Sequence, residues 1–390
     1  MSDKDNVLTF PRTVFREDHD MLRSTITRFI ERECTPRQTQ WDKDGKVDRE
    51  TWLKAGKEGL LCTMLDVEWG GGGGDFGHSA VMVEEIARSG ISGPGFYLHS
   101  DIIAPYIQRL GTEQQKAKWL PKCASGEVIL AIAMSEPGAG SDLKAIRTTA
   151  KRVAGKEGDE YVINGAKTFI SNGINCDLVV LVAKTEPELG AKGVSLILVE
   201  ADRAGFRKGR KLEKMGQVAA DTAELFFDDV RVPCTNLLGE ENKGFSYLMQ
   251  ELAQERFIIA IGAAAKLEAM LAETIRYTKE RMVFGKPLFD FQNTRFKLAE
   301  VKTRATAVRM MVDQYLSEHL RRRLTVEEGA IAKLYATEEL GKALDELLQL
   351  YGGYGYMMEY PITRAFVDSR VTRIYGGTSE VMKELISRGL

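Results

Sequence analysis

Hydrophobic and polar positions alternate with two different periods along this chain, and the period changes twice. From about Phe15 to Pro121 apolar residues recur at helical spacing, as in Leu22, Ile26, Phe29 and Ile30, or Val81, Val83, Ile86 and Ala87. This predicts a set of short amphipathic helices divided by polar breaks. The sharpest break is the glycine run at 70–74 followed by Asp75. It reads as a flexible turn between helices, because a phosphate-binding loop needs a following Lys-Ser/Thr and a preceding strand.

Between about Val128 and Val232 the pattern shortens to β-type runs bounded by Gly, Asn and Asp, at 128–133, 161–163, 178–183, 194–199 and 223–227. No helical crossover separates them, so an antiparallel sandwich or barrel is expected rather than a parallel βαβ sheet. From Gly244 the helical period returns in three long stretches, 245–281, 293–320 and 325–351, with a shorter one after them. Long helices with short connections pack as an antiparallel bundle. The expected class is α+β, with an N-terminal α-helical domain over 1–125, a middle antiparallel β domain over 126–235 and a C-terminal four-helix bundle over 236–390.

Composition narrows the function. With 44% hydrophobic residues among 390 the chain has ample material for buried cores, and a net charge of −2 gives no reason to expect nucleic acid or an anionic membrane as partner. Five scattered cysteines without a CxxC pair, and only four histidines, argue against a disulfide framework or a metal site. The opening stretch MSDKDNVLTF lacks the basic start and apolar core of a signal peptide, and no apolar run approaches the ~20 residues of a membrane span. A cytoplasmic protein is expected.

Three segments carry chemistry. SEPGAGSD at 135–142 directly follows a β-type run; its glycines let backbone N–H groups approach a ligand, while Ser135 and Ser141 add hydroxyls. Such a loop suits a flat heterocycle or a phosphate, although any four of its residues alone would be an ordinary turn. In LAQERF at 252–257, Glu255 and Arg256 precede Phe257, Ile258, Ile259 and Ile261, the mark of a helix buried on more than one side. A carboxylate there would lose hydration and titrate higher than usual; otherwise it is a surface glutamate. Arg281, in RMVFGK at 281–286, offers a planar fork for phosphate oxygens, or is simply a solvated helix-end charge.

Taken with NGAKTFISNG at 164–173, KMG at 214–216, QLYGG at 349–353 and IYGGTSEVMKELISR at 374–388, these segments occur in the order found in acyl-CoA dehydrogenases. The chain resembles that family from about Phe15 to its end. The resemblance implies FAD-dependent α,β-dehydrogenation of acyl-CoA thioesters to trans-2-enoyl-CoA, with electrons passed to an electron-transferring flavoprotein. One position departs from the common pattern: Gly376 stands where most of the family carries a glutamate base. The resemblance therefore implies that Glu255 is the base, as in the long-chain and isovaleryl branches, and that the Gly376 backbone N–H serves as an oxyanion donor beside a flavin ribityl hydroxyl. GPGFYLHS at 93–100 and the tail look most like the long-chain branch.

Further roles follow only from the resemblance. Ile132, Ala133, Met134, Ser135, Gly140 and Ser141 would line the flavin, with Phe169, Ile170 and Ser171 covering its ring where many relatives have tryptophan. Arg281 and Phe284 would hold the pyrophosphate and adenine of a partner subunit's FAD, with Gln292, Gln349, Gly352 and Gly353 completing that adenosine site. Thr378 and Glu380 would close over the flavin, and Ser141, Arg256, Gly376 and Gly377 would contact substrate, Arg256 as support. A site shared between chains implies a homotetramer, a dimer of dimers. The alternatives are a flavin monooxygenase or nitroalkane oxidase-like enzyme on the same scaffold, against which Glu255 argues, and a non-catalytic flavin-binding assembly protein that has lost its base at 376, which bleaching of the flavin by acyl-CoA without an external acceptor would discriminate. Acyl chain length depends on packing around Phe96, Tyr97 and Ile102 and stays open.

Overall fold

Six helices form the first third of the chain: α1 (Glu17–Phe29), α2 (Gln38–Asp44), α3 (Arg49–Lys57), α4 (Phe76–Ser89), α5 (Ala104–Leu110) and α6 (Glu113–Ala124). The computed structural model describes residues 7, 10–156 and 158–390, so of the polar opening stretch only Val7 and Phe10 are described. Polar side chains start α3, α4 and α6, where orphan N–H groups need acceptors. Asp48 accepts from the Thr51 N–H at 2.8 Å, and Asp75 from the Gly77 N–H at 2.9 Å. The glycine run is ordered rather than flexible: Gly73 and Gly74 donate backbone N–H groups to Leu65 and Thr63 at 2.8 and 2.9 Å. A Cβ on Gly71 would stand 2.3 Å from the Leu65 carbonyl, so only glycine permits this approach.

The middle of the chain is one sheet of β1 (Leu130–Ala133), β2 (Thr149–Gly155), β3 (Gly158–Ser171), β4 (Leu178–Lys184), β5 (Val194–Glu200), β6 (Phe206–Lys211), β7 (Thr222–Pro233) and β8 (Leu237–Leu238). Its order is β6-β7-β3-β2-β4-β5-β8, with β1 beside β4. The ladders are antiparallel except that β1 runs parallel to β4, pairing Leu130 with Leu178 through Ala133 with Leu181, and β2 touches β4 at one parallel pair. The intervening β2–β3 hairpin acts as the crossover that returns the chain in the same direction. Between the Lys167–Leu225 and Ile170–Ala223 pairs, β3 spends one residue more than β7. This bulge puts Phe169 at φ +58°, a left-handed conformation that turns its ring away from the sheet.

The last third holds α7 (Gly244–Glu280), α8 (Gln292–Leu320) and α9 (Val326–Gln349), with the shorter α10 (Pro361–Ser369) and α11 (Ser379–Ser387) packed against α9. Thr325 and Glu328 form a reciprocal capping box at the start of α9. A buried ionic network ties this bundle to the first domain. Arg309 on α8, fully buried, donates to Glu84 of α4 at 2.7 Å and to Glu268 of α7. Arg12 and Arg23 reach the same Glu84 at 2.8 and 3.1 Å. Among the described residues no helix is long and apolar enough to cross a membrane.

Candidate active site

A cavity of about 320 Å³ opens where the three regions meet. One wall is α7, presenting Glu255, Ile258, Ile259 and Gly262; Val83 and Ile86 of α4, which packs against α7, continue the lining with the 91–98 segment. The residues Ile132, Met134 and Ser135 after β1, and Phe169, Ile170 and Ser171 at the end of β3, form its rim, and Tyr375 and Gly376 close another side.

Glu255 is only 8% exposed. Burial pushes its pKa up to about 7; the Tyr106 hydroxyl, donating to its Oε1 at 3.0 Å, works against that rise, Glu251 adds to it, and Arg256 opposes it. The result is a carboxylate poised near neutrality in an apolar wall, a state suited to proton transfer.

Gly376 sits at φ +62°, where an L side chain is strained, and a Cβ there would stand 2.6 Å from Ile259 Cδ1. Two cations hold the turn from behind: Arg256 Nε donates to the Gly376 carbonyl at 3.4 Å, and Lys333 Nζ donates to the Gly377 carbonyl. Lys333 is 1% exposed, and burial draws its pKa down to about 8. With both carbonyls engaged, the Gly376 N–H has no hydrogen-bond partner among the described residues and borders the cavity. A free backbone donor lining the same cavity as a buried carboxylate can polarise a carbonyl while the carboxylate takes an adjacent proton.

The rim fits a flat redox cofactor. Phe169, 71% exposed because of the bulge, offers an aromatic face, and Ser135 lies beside it, its carbonyl tied to the Thr168 N–H at 2.9 Å. Gly138 and Gly140 leave open space where a Cβ would be, so the loop backbone is accessible. Among the residues expected to bind cofactor, Ile132, Met134, Ser135, Phe169, Ile170 and Ser171 meet here. The Ala133 side chain instead points into the sheet core, and Gly140 and Ser141 lie on the exposed loop beyond the cavity wall. Arg256 and Gly377 stand behind the Gly376 turn, with Thr378 capping α11 and Glu380 exposed in its first turn.

Arg281, Phe284, Gln292, Gln349, Gly352 and Gly353 are all exposed and lie away from the cavity. Phe284 is 93% exposed, and the Arg281 guanidinium lies 5.2 Å over the Tyr354 ring. Helical rise puts Arg281 roughly 39 Å along α7 from Glu255. Tyr106 and Lys333 escaped the sequence reading: both look like ordinary helix residues, and only tertiary packing brings them to Glu255 and the Gly376 turn.

Three family models match the chain in order: the acyl-CoA dehydrogenase N-terminal domain over residues 16–127, the middle domain over 131–230 and the C-terminal domain over 242–390. The chain is 51% identical over 379 residues to the long-chain specific acyl-CoA dehydrogenase, mitochondrial, of Mus musculus, covering 97% of this chain and 87% of that protein. It superposes with a TM-score of 0.93 on the crystal structure of an acyl-CoA dehydrogenase from Geobacillus kaustophilus, at 47% identity over 97% of this chain and 99% of the other. A glutaryl-CoA dehydrogenase from Mycobacterium smegmatis, solved in complex with FADH2, matches with a TM-score of 0.88 at 27% identity, covering 96% and 95% of the two chains.

Proposed function

We propose that this chain, which belongs to the acyl-CoA dehydrogenase family, oxidises long-chain acyl-CoA thioesters with Glu255 as the base and passes the electrons to an electron-transferring flavoprotein. It is an FAD-dependent oxidoreductase of acyl-CoA. The observation carrying the assignment of the base is the buried Glu255, with a pKa near 7, lining the same cavity as Gly376.

Ser135 and Phe169 to Ser171 would hold the cofactor's ring at the rim. FAD supplies the acceptor for the hydride leaving the β carbon. The chain's residues do the rest. The Gly376 N–H would donate to the thioester oxygen, making the α proton more acidic and stabilising the charge that grows as it leaves. Arg256 and Lys333 hold that turn, Glu255 accepts the α proton, and the apolar α7 face excludes water.

Glu255 must be ionised to act, so the rate of flavin reduction is expected to rise as pH passes through about 7 and to level off above it. Tyr106 stabilises the ionised form, so Tyr106→Phe should move this limb to higher pH. Stopped-flow reduction at a series of pH values checks both; a limb unmoved by the substitution would remove Tyr106 from the base's environment.

A homotetramer is part of the proposal, supported by the exposed Arg281 and Phe284 and by the roughly 39 Å of helix between Arg281 and Glu255, too long for one cofactor to bridge. A reducing compartment, the cytoplasm, is also proposed, supported by five free thiols of which four are buried. The test is anaerobic bleaching of the purified yellow protein by straight and branched acyl-CoA of graded length, with its mass followed by sedimentation. Fastest bleaching by long straight chains in a tetrameric protein is expected. Bleaching by short or branched chains alone would overturn the long-chain assignment, and a fully active monomer would overturn the shared site.

A further inference from the structure

Lys266 lies on the same face of α7 as Glu255, Ile259 and Gly262, at spacings of four, three and four residues, and lines the same cavity. Eleven residues separate it from Glu255, roughly 16 Å of helix. Helix side chains lean towards the N-terminus, so an extended acyl chain with its α carbon at Glu255 would bring about its twelfth carbon to the ammonium. Asp368, Gln217 and Ser92 border the same cavity. Lys266 also borders a second cavity, of about 490 Å³, whose lining includes Arg88, Arg276 and Arg364.

The Lys266 ammonium makes no hydrogen bond or ion pair among the described residues. Asp368, which could serve it, instead accepts the Gln217 backbone N–H. Burial draws the Lys266 pKa down, Asp368 opposes this and Arg364 reinforces it. Lys266 is half-buried, so water can reach its ammonium in the cavity; an alkyl tail ending beside it would displace that water without replacing its hydrogen bonds, which is costly. A terminal oxygen would satisfy it. A hydroxyl fits the pair best, accepting from Lys266 and donating to Asp368; a carboxylate would use Lys266 alone.

We propose that this cavity selects acyl chains carrying an oxygen function, hydroxyl or carboxylate, at their far end about twelve carbons from the thioester, with Lys266 as the specificity-determining residue. The inference rests on the reading that acyl-CoA is oxidised at Glu255.

The experiment compares dodecanoyl-CoA, ω-hydroxydodecanoyl-CoA and dodecanedioyl-CoA with the FAD-loaded protein and its Lys266→Met variant, measuring kcat/KM and the Kd from the flavin spectral shift. The parent is expected to favour one or both oxygenated chains over dodecanoyl-CoA, and Lys266→Met to reduce that preference about tenfold to a hundredfold, as for a lost charged hydrogen bond. Preference for the hydroxy chain would place Asp368 in the site as acceptor; preference for the diacid would leave Lys266 as its sole ligand. A parent that bleaches with dodecanoyl-CoA but handles both oxygenated chains less well, with ratios unchanged in Lys266→Met, overturns the proposal and leaves the dehydrogenase reading standing. A protein inert to all three overturns both. Thermal melting of Lys266→Met, expected at or above the parent's, guards against a folding artefact.

Discussion

Glu255→Gln is expected to slow flavin reduction by acyl-CoA by a factor of ~10² to 10⁴, the usual contribution of a positioned general base, while the protein stays yellow. The amide has nearly the carboxylate's volume and can still take the Tyr106 hydrogen bond, so packing around the 3.0 Å contact should survive. Stability provides an independent reading. Burial raises the folded pKa of Glu255 above its ordinary value of 4.5 to about 7. The ionised form is therefore the destabilising one, and stability is lost as pH rises through 7. Glutamine removes that loss, so the variant should melt higher than the parent at alkaline pH and no higher under acid conditions. A variant that bleaches as fast as the parent would mean that another group takes the proton. Adding Gly376→Glu to it should restore activity only in part. A side chain at φ +62° is strained by roughly 1–2 kcal/mol, and the new Cβ must first push aside Ile259 Cδ1.

The largest effect on stability should come from Arg309→Met. Arg309 is fully buried and bonds Glu84 and Glu268, which come from two other helices. Its removal leaves two buried carboxylates short of a partner, a defect of about 3–5 kcal/mol. Glu84 shows the environment it depends on: burial would raise its pKa, but Arg12, Arg309 and Arg88 together hold it well below its ordinary 4.5. A depressed carboxyl contributes stability above that ordinary value and loses it as pH falls, so the parent should be increasingly sensitive to acid below it. Chemical denaturation of Arg309→Met, alone and with Glu84→Gln and Glu268→Gln, tests this. Unchanged stability in the single variant would mean that the network is incidental; partial rescue in the triple variant is expected.

The long helices of the bundle were legible because their apolar positions repeat over many turns and polar caps mark their starts, as Thr325 does for α9. The β runs were legible as strands, but not the partnership of β1 with β4. Parallel pairing across an intervening hairpin leaves no local trace, and the expectation of a wholly antiparallel domain missed it. The same limit applies to the site. The loop at 135–142 and the Glu255 helix announced themselves through composition and resemblance, whereas Tyr106, Lys333, Lys266 and Arg309 are polar residues on helices, where the default is a solvated face. Only packing tells a buried lysine from an exposed one. Phe169 illustrates a further gap: its aromatic identity was readable, but its placement depends on one extra residue in a ladder, visible only once β3 and β7 are paired.

The unbroken run of α7 makes it a ruler. Each residue advances the helix by about 1.5 Å and turns it by about 100°, so Glu255, Lys266 and Arg281 keep their mutual phase only while the count between them is constant. A single-residue insertion before Lys266 would swing that lysine and everything after it out of alignment with the base; a substitution at the same place disturbs one side chain. Natural variation in this stretch should therefore arise by exchange of residues and almost never by gain or loss of them, while the exposed turn joining α8 to α9, Arg321 to Arg323, is free to change in length. Specificity can then drift residue by residue along a scale whose graduations do not move.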